Sequence, residues 1–207
     1  MTDMDKTYTL AELRIRDPFI VPDEATQTYY LVASLPAGKE GRPAVGLYAS
    51  TDLQTWTGPT IVFETPADFW AQGPIWAPEL HRYRGKYYLF LTFNTDDPLP
   101  EGAPRPEGEL PPWWSKFVKR GSQVLVADSL LGPYRPFRNA AHTPPELMIL
   151  DGTLWVEDGV PYMIYCHEWV QIRDGTIDLV RLTPDLSAIE GEPVTLFKGS
   201  DAVWTRP

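Results

Sequence analysis

The sequence predicts an all-β protein: a β-propeller of four-stranded antiparallel blades, three of them present. Three observations carry this reading. The chain repeats itself three times, its strands are dense in aromatics (8 Trp, 10 Tyr, 8 Phe), and it holds 22 prolines in 207 residues. Prolines interrupt long helices, and aromatic residues suit the pleated, half-buried surface of a sheet. Repetition of one small antiparallel unit is the mark of propeller blades. A flat β-solenoid fits less well, because its coils are shorter and more uniform.

The first repeat opens on Asp17-Pro18-Phe19-Ile20-Val21, turns, and returns on Thr28-Tyr29-Tyr30-Leu31-Val32. The second opens on Pro78-Glu79-Leu80, turns at Arg84-Gly85 and returns on Lys86-Tyr87-Tyr88-Leu89-Phe90. The third opens on Asp151-Gly152-Thr153-Leu154-Trp155, turns at Asp158-Gly159 and returns on Val160 to Cys166. Each opening is a hairpin: a short strand, a Gly or polar turn, and an aromatic-rich strand. A third strand follows in each unit at Val45–Ser50, Ser122–Asp128 and Ile177–Leu182, and a fourth, edge-like strand at Thr60–Phe63, Tyr134–Phe137 and Pro193–Phe197. The blades so defined span about 14–64, 74–138 and 148–198, within one partial propeller domain of residues 1–207. A Pro- and Gly-rich insertion from Asp96 to Arg120 carries Trp113 and Trp114. It reads as a surface loop, either a lid over one face or simply a long connection.

Composition narrows the function. With 18 basic and 28 acidic residues the chain carries a net charge of −10, which repels phosphate backbones and excludes nucleic acid as a natural partner. One cysteine, Cys166, rules out a disulfide framework within the chain and reads as a small core hydrophobe. No apolar run approaches the length that spans a bilayer, so no membrane partner is expected. The polar start, Met1-Thr2-Asp3-Met4-Asp5, predicts no signal peptide and hence a cytoplasmic location.

The chemistry lies in the carboxylates. Asp17, Glu79 and Asp151 open their units, 62 and 72 residues apart. In a hairpin the end of the second strand lies beside the start of the first, so Cys166-His167-Glu168-Trp169 returns beside Asp151. Asp17, Glu79, Asp151 and Glu168 are therefore expected on one face, at one end of the propeller axis. Converging carboxylates serve either paired acid–base work, as in glycoside hydrolysis, or a cation site. No local run resembles a calcium loop, so no cofactor is expected, with a structural Ca²⁺ on the axis left open.

Arg16-Asp17-Pro18-Phe19, Trp76-Ala77-Pro78-Glu79-Leu80, Gly85-Lys86-Tyr87-Tyr88-Leu89 and Leu150-Asp151-Gly152-Thr153-Leu154 together resemble glycoside hydrolase family 43, over roughly residues 14–200. The resemblance implies a five-bladed propeller and an inverting glycosidase, read first as exo-acting, on arabinose-, xylose- or galactose-type linkages of plant oligo- and polysaccharides. It implies that Asp17 is the general base and that Asp151 orients the acid and tunes its pKa. The family's acid is usually a glutamate opening blade four. This chain ends at Pro207, where that blade would begin, so Glu168 is the acid expected within it. The same ending predicts a piece of a longer enzyme, completed by further blades or a partner chain.

Arg16, Trp76, Glu79, His167 and Trp169 are expected to bind substrate, the two tryptophans by stacking on sugar rings. Each has a plainer reading beside it. Asp17 could be a turn residue before Pro18, Glu79 a partner of backbone amides, and His167 a structural histidine. His81 and His142 lack metal-ligand spacing and read as surface or turn residues. Trp56 and Trp155 read as blade packing. The rival function is a carbohydrate-binding propeller without catalysis. A WD- or kelch-type scaffold is excluded by the missing Gly-His, Trp-Asp and double-glycine signatures.

Overall fold

Residues 87–93 read Tyr-Tyr-Leu-Phe-Leu-Thr-Phe, too apolar for a strand with one wet face. In the computed structural model, which describes residues 6–106 and 117–205, that strand is buried on both sides. Leu89, Leu91 and Phe93 pack in the core shared with the preceding blade, alongside Val32, Leu47, Val62 and Phe63. Tyr88 and Phe90 alternate onto the core shared with the following blade, alongside Ile149, Met163, Val180 and Leu182. A strand sandwiched between two sheets loses its polar face and keeps its period of two.

The strands form three antiparallel sheets. The first holds β1 (Thr7–Thr9), β2 (Phe19–Asp23), β3 (Thr28–Leu35), β4 (Ala44–Ser50) and β5 (Thr55–Glu64), in the order β1-β5-β4-β3-β2. The second holds β6 (Ile75–Tyr83), β7 (Lys86–Pro98), β8 (Val118–Ala127) and β9 (Arg135–Pro136) in sequence order. The third does the same with β10 (Ile149–Glu157), β11 (Val160–His167), β12 (Thr176–Leu182) and β13 (Ile189–Lys198). β6 packs across β2, β3 and β4, and β10 across β6, β7 and β8. The blades thus stack side by side with β2, β6 and β10 innermost, and the ring stays open. Helix among the described residues is confined to α1 (Trp169–Ile172) and a 3-10 turn at Gly199–Asp201. No helix there is long and apolar enough to cross a membrane.

Two features depart from the expectation. Blade one gains a fifth strand, because β1 pairs with the outer edge of β5, Thr7 opposite Thr57. Tyr8, Leu13 and Ile15 then pack over Leu31, Ala33, Tyr48 and Trp56, covering the face of blade one that turns away from blade two. Among the described residues no segment covers blade three in this way. Its outer face carries Leu179 between Ile164 and Val194, and Trp155, expected to pack within the blades, is half exposed there. The two tryptophans of the long insertion, Trp113 and Trp114, lie outside the described residues. The turn from Ser50 to Trp56 is stapled by side chains: Ser50 and Asp52 accept the backbone N–H groups that follow them.

The inner strands share one local device. Asp17, Ala77 and Asp151 all take left-handed backbone, at φ 53°, 40° and 54°. In β6 the pairing jumps from Trp76 to Glu79, and in β10 from Leu150 to Thr153. Each jump is a β-bulge, which bends an inner strand where it reaches the axis. The structural counterparts are therefore Asp17, Ala77 and Asp151, 60 and 74 residues apart. Glu79 sits two positions deeper, aligned with Phe19 and Thr153. Blade two leads with an alanine, which corrects the expectation of a lead carboxylate in every unit.

A methyl group at Gly152 would lie 3.0 Å from the Ser122 side chain and 3.1 Å from Met163 Sδ. Gly152→Val should therefore lower stability by about 1–3 kcal/mol, read as a lower urea midpoint with unchanged slope. The bare face of blade three should make the 207-residue chain self-associate. Sedimentation velocity should show association that grows with concentration, and a strict monomer at every concentration counts against it.

Candidate active site

Carboxylates from three blades meet where the inner strands converge. A cleft of about 220 Å³ opens there, lined by Arg16, Asp17, Trp76, Leu150 and Asp151. Four of the eight residues expected to form the site are thus brought together: Arg16, Asp17, Trp76 and Asp151. Leu150 joins them because it precedes the bulge that turns Asp151 into the cleft.

Each carboxylate meets a different environment. Asp17 is half exposed, with Arg16 Nε 3.7 Å away and almost wholly in solvent. An exposed pair of this kind is weak, so Asp17 stays available. Glu79 is engaged: its Oε2 accepts from Thr153 Oγ1 at 2.5 Å and meets His81 Nε2 at 2.8 Å. His81 in turn lies 5.3 Å from both Phe19 and Phe90. Glu79 therefore ties β6 to β10 and, through His81 against Phe19, to β2; expected to bind substrate, it stands outside the cleft lining.

Glu168 is buried and ion-paired with Arg120. Burial raises its pKa, while the charge and hydrogen bond of Arg120 oppose the rise. The carboxylate is absent from the cleft lining. Glu168, expected to offer a proton to substrate, thus lies behind the cleft wall with Arg120 as its partner. His167 is likewise committed, its Nε2 2.8 Å from Gln171 Oε1. Gln171 is a structural hub that also receives Met148 N–H and donates to the carbonyls of Pro104 and Glu146. Trp169 stands half exposed on α1, outside the cleft lining.

Asp151 is the exception. Among the described residues no ion pair reaches its carboxylate. Its backbone N–H donates to Thr92 Oγ1 at 2.8 Å, which fixes the head of β10 against β7. Its pKa is raised, first because the cleft walls strip water from it. The negative charges of Asp17, Glu79 and Glu168 push the same way, and Arg120 opposes them. A carboxyl that holds its proton more tightly than usual beside a second, open carboxylate is the pattern of acid–base sites.

Sequence reasoning missed Arg120. It is buried within β8, donates from Nε to Asn94 Oδ1 at 2.6 Å, and lies 4.3 Å from the centre of the Trp76 ring. A cation inside a strand with two packed faces was the one available signal. No cluster of three or more His, Cys, Asp or Glu suited to hold a metal occurs among the described residues.

The family model for glycosyl hydrolases family 43 matches residues 9–206. The chain belongs to glycosyl hydrolase family 43. Among solved structures it is similar to an endo-arabinase from Bacteroides thetaiotaomicron, at 38% identity and a TM-score of 0.75, over 95% of this chain and 60% of that one. An α-L-arabinofuranosidase from Lactobacillus brevis matches at 19% identity and a TM-score of 0.63, over 89% and 54%. An exo-β-1,3-galactanase from Phanerochaete chrysosporium matches at 14% and 0.60, over 90% and 40%. The last two likenesses speak to the fold. The chain spans about three fifths or less of the length of these structures. No curated protein matches it.

The raised pKa of Asp151 has a stability consequence with a definite sign. A carboxyl whose folded pKa exceeds its unfolded value stabilises the fold while protonated, and that contribution is lost as pH rises through the folded value. Asp151→Asn should therefore melt higher than the wild type at pH 7, and the difference should vanish below the ordinary value of 3.8. Asn also tolerates the left-handed backbone, so strain does not mask the effect. Equal melting temperatures at pH 7 would refute it.

Proposed function

We propose that this chain forms the catalytic face of an inverting glycosidase of family 43 that cleaves an arabinose polymer. One observation carries the reading: Asp17 and Asp151, on the lead residues of two blades, face one cleft that also presents the Trp76 indole. The open carboxylate suits a base, the strained and isolated one suits a tuner of charge, and the indole suits the apolar face of a sugar ring. The substrate is chosen on the likeness to the endo-arabinase, which is 38% identical to this chain.

In this mechanism Asp17 accepts a proton from water as that water attacks the anomeric carbon. Inversion needs room for the water between the base and a proton donor on the opposite side, about 6.5–9.5 Å between carboxyl groups. The glycosidic oxygen leaves with a proton from that donor. Asp151 keeps the donor protonated by adding negative charge beside it, as one carboxylate does for another. Neither Glu79 nor Glu168 is free to donate, so the donor is assigned to a group outside the three blades that packs onto this cleft.

Asp17→Asn in the full-length enzyme should lower turnover of arabinan by a factor on the order of 10² to 10⁴ with little change in binding. The product from the wild type, followed by NMR during hydrolysis, should carry the inverted anomeric configuration. Full activity in Asp17→Asn, or a retained configuration, would sink the mechanism. Binding of arabinan by the wild type with no turnover at all would point instead to a carbohydrate-binding propeller.

A further inference from the structure

Arg120 occupies an unusual position. Its guanidinium meets three groups at once: Asn94 Oδ1 at Nε, Glu168 at one terminal nitrogen, and the face of the Trp76 indole. Only a planar fork with several donors serves all three; an ammonium does not. One face of Trp76 is thereby occupied, and with 39% of its surface exposed, the other looks onto the cleft. The opposite end of the arrangement is Glu168, buried and one residue beyond His167, which pairs with Ile149 two residues before Asp151; its negative charge adds to the rise in the Asp151 pKa.

Asp151 feels charges from every element around it. Arg16 and Asp17 stand on the segment before β2, and Glu79 with its partner His81 on β6. Arg120 stands on β8, and Cys166, His167 and Glu168 follow one another at the end of β11. Within that set Arg16 serves Asp17, His81 serves Glu79, and Arg120 serves Glu168. The last pair is the one sunk in the protein, where screening by water is least and its balance matters most.

We propose that Arg120 is a positioning residue with two separable tasks: it backs Trp76 as a sugar platform, and it neutralises Glu168 beside the strand head that carries Asp151. The consequence for catalysis rests on the hydrolase reading; the charge balance does not. The two tasks call on different partners, so substitutions separate them. Glu168→Gln leaves Arg120 charged and stacked. Arg120→Met removes both the stack and the cation, and the buried Glu168 then takes up a proton. Arg120→Met with Glu168→Gln removes the stack but leaves no net charge behind.

The test is ¹³C-carboxyl NMR of the full-length protein without substrate, followed by kinetics on arabinan. In Glu168→Gln the Asp151 midpoint should fall by about one pH unit, because an uncompensated cation now lies nearby. The double variant should return it to near the wild-type value. In Arg120→Met the Glu168 midpoint should rise. KM should rise roughly three- to tenfold wherever Arg120 is lost, and stay near wild type in Glu168→Gln. An Asp151 midpoint unmoved in Glu168→Gln overturns the charge task, as does a double variant that fails to restore it. Equal KM in all variants overturns the platform task. If the Arg120 variants do not fold, Glu168→Gln alone still decides the charge task. Midpoints that behave as stated in a protein that hydrolyses no sugar would leave the balance standing and remove the hydrolase reading. Turnover with unmoved midpoints would do the reverse.

Discussion

The arrangement depends on one backbone constraint: the residue at the head of each inner strand must turn left-handed. That conformation costs an ordinary L-residue about 1–2 kcal/mol, and such strain persists only where surrounding structure enforces it. The enforcement is visible. The heads of β6 and β10 are bulged, β10 is held by a hydrogen bond from Asp151 N–H to Thr92, and Gly152 lets it approach Ser122 and Met163 closely. Aspartate is among the residues that enter this region most readily. Two of the three heads are aspartates, and both line the cleft. The same turn that closes the blade onto the axis therefore presents the carboxylate.

A division of labour among acidic residues follows. Four carboxylates crowd one end of the axis in a chain of net charge −10. Three of them have a cation or a histidine at hand, and two of those, Glu79 and Glu168, are held by hydrogen bonds that cross from one blade to another. Asp151 alone has no ion-pair partner among the described residues. The clamped pair ties blades two and three together, and the uncompensated group holds its proton more tightly than a free carboxyl. A carboxyl perturbed in this way, in a cleft, marks a candidate functional site.

The fold was legible because each blade announces itself locally: a turn residue, a period of two, an aromatic return strand. The fifth strand of blade one was not, because Thr7-Tyr8-Thr9 is too short to signal and gains its identity only by pairing with Thr55–Thr57, nearly fifty residues on. In the site, Asp17 and Asp151 were legible from their place before Pro18 and Gly152. Glu79 was misread because carboxylates were matched to carboxylates. Matching Pro18 to Pro78 would have placed Ala77 at the head of blade two and Glu79 inside it. The pairing of Arg120 with Glu168, 48 residues apart, had no local signature at all.

Ala77 gains meaning in that light. An alanine has no side-chain hydrogen bond to offset a left-handed backbone, so nothing local favours it there. What it avoids is a fifth carboxylate at the axis. An aspartate at position 77 would stand beside Trp76, close to Asp17 and Asp151, and would raise the pKa of Asp151 further by like-charge repulsion. At some point that shift neutralises Asp151 and removes its charge from the cleft. The strain at Ala77 is then the smaller cost: the bulge that shapes blade two is kept, and Asp151 stays the one carboxylate of the four without an ion-pair partner among the described residues.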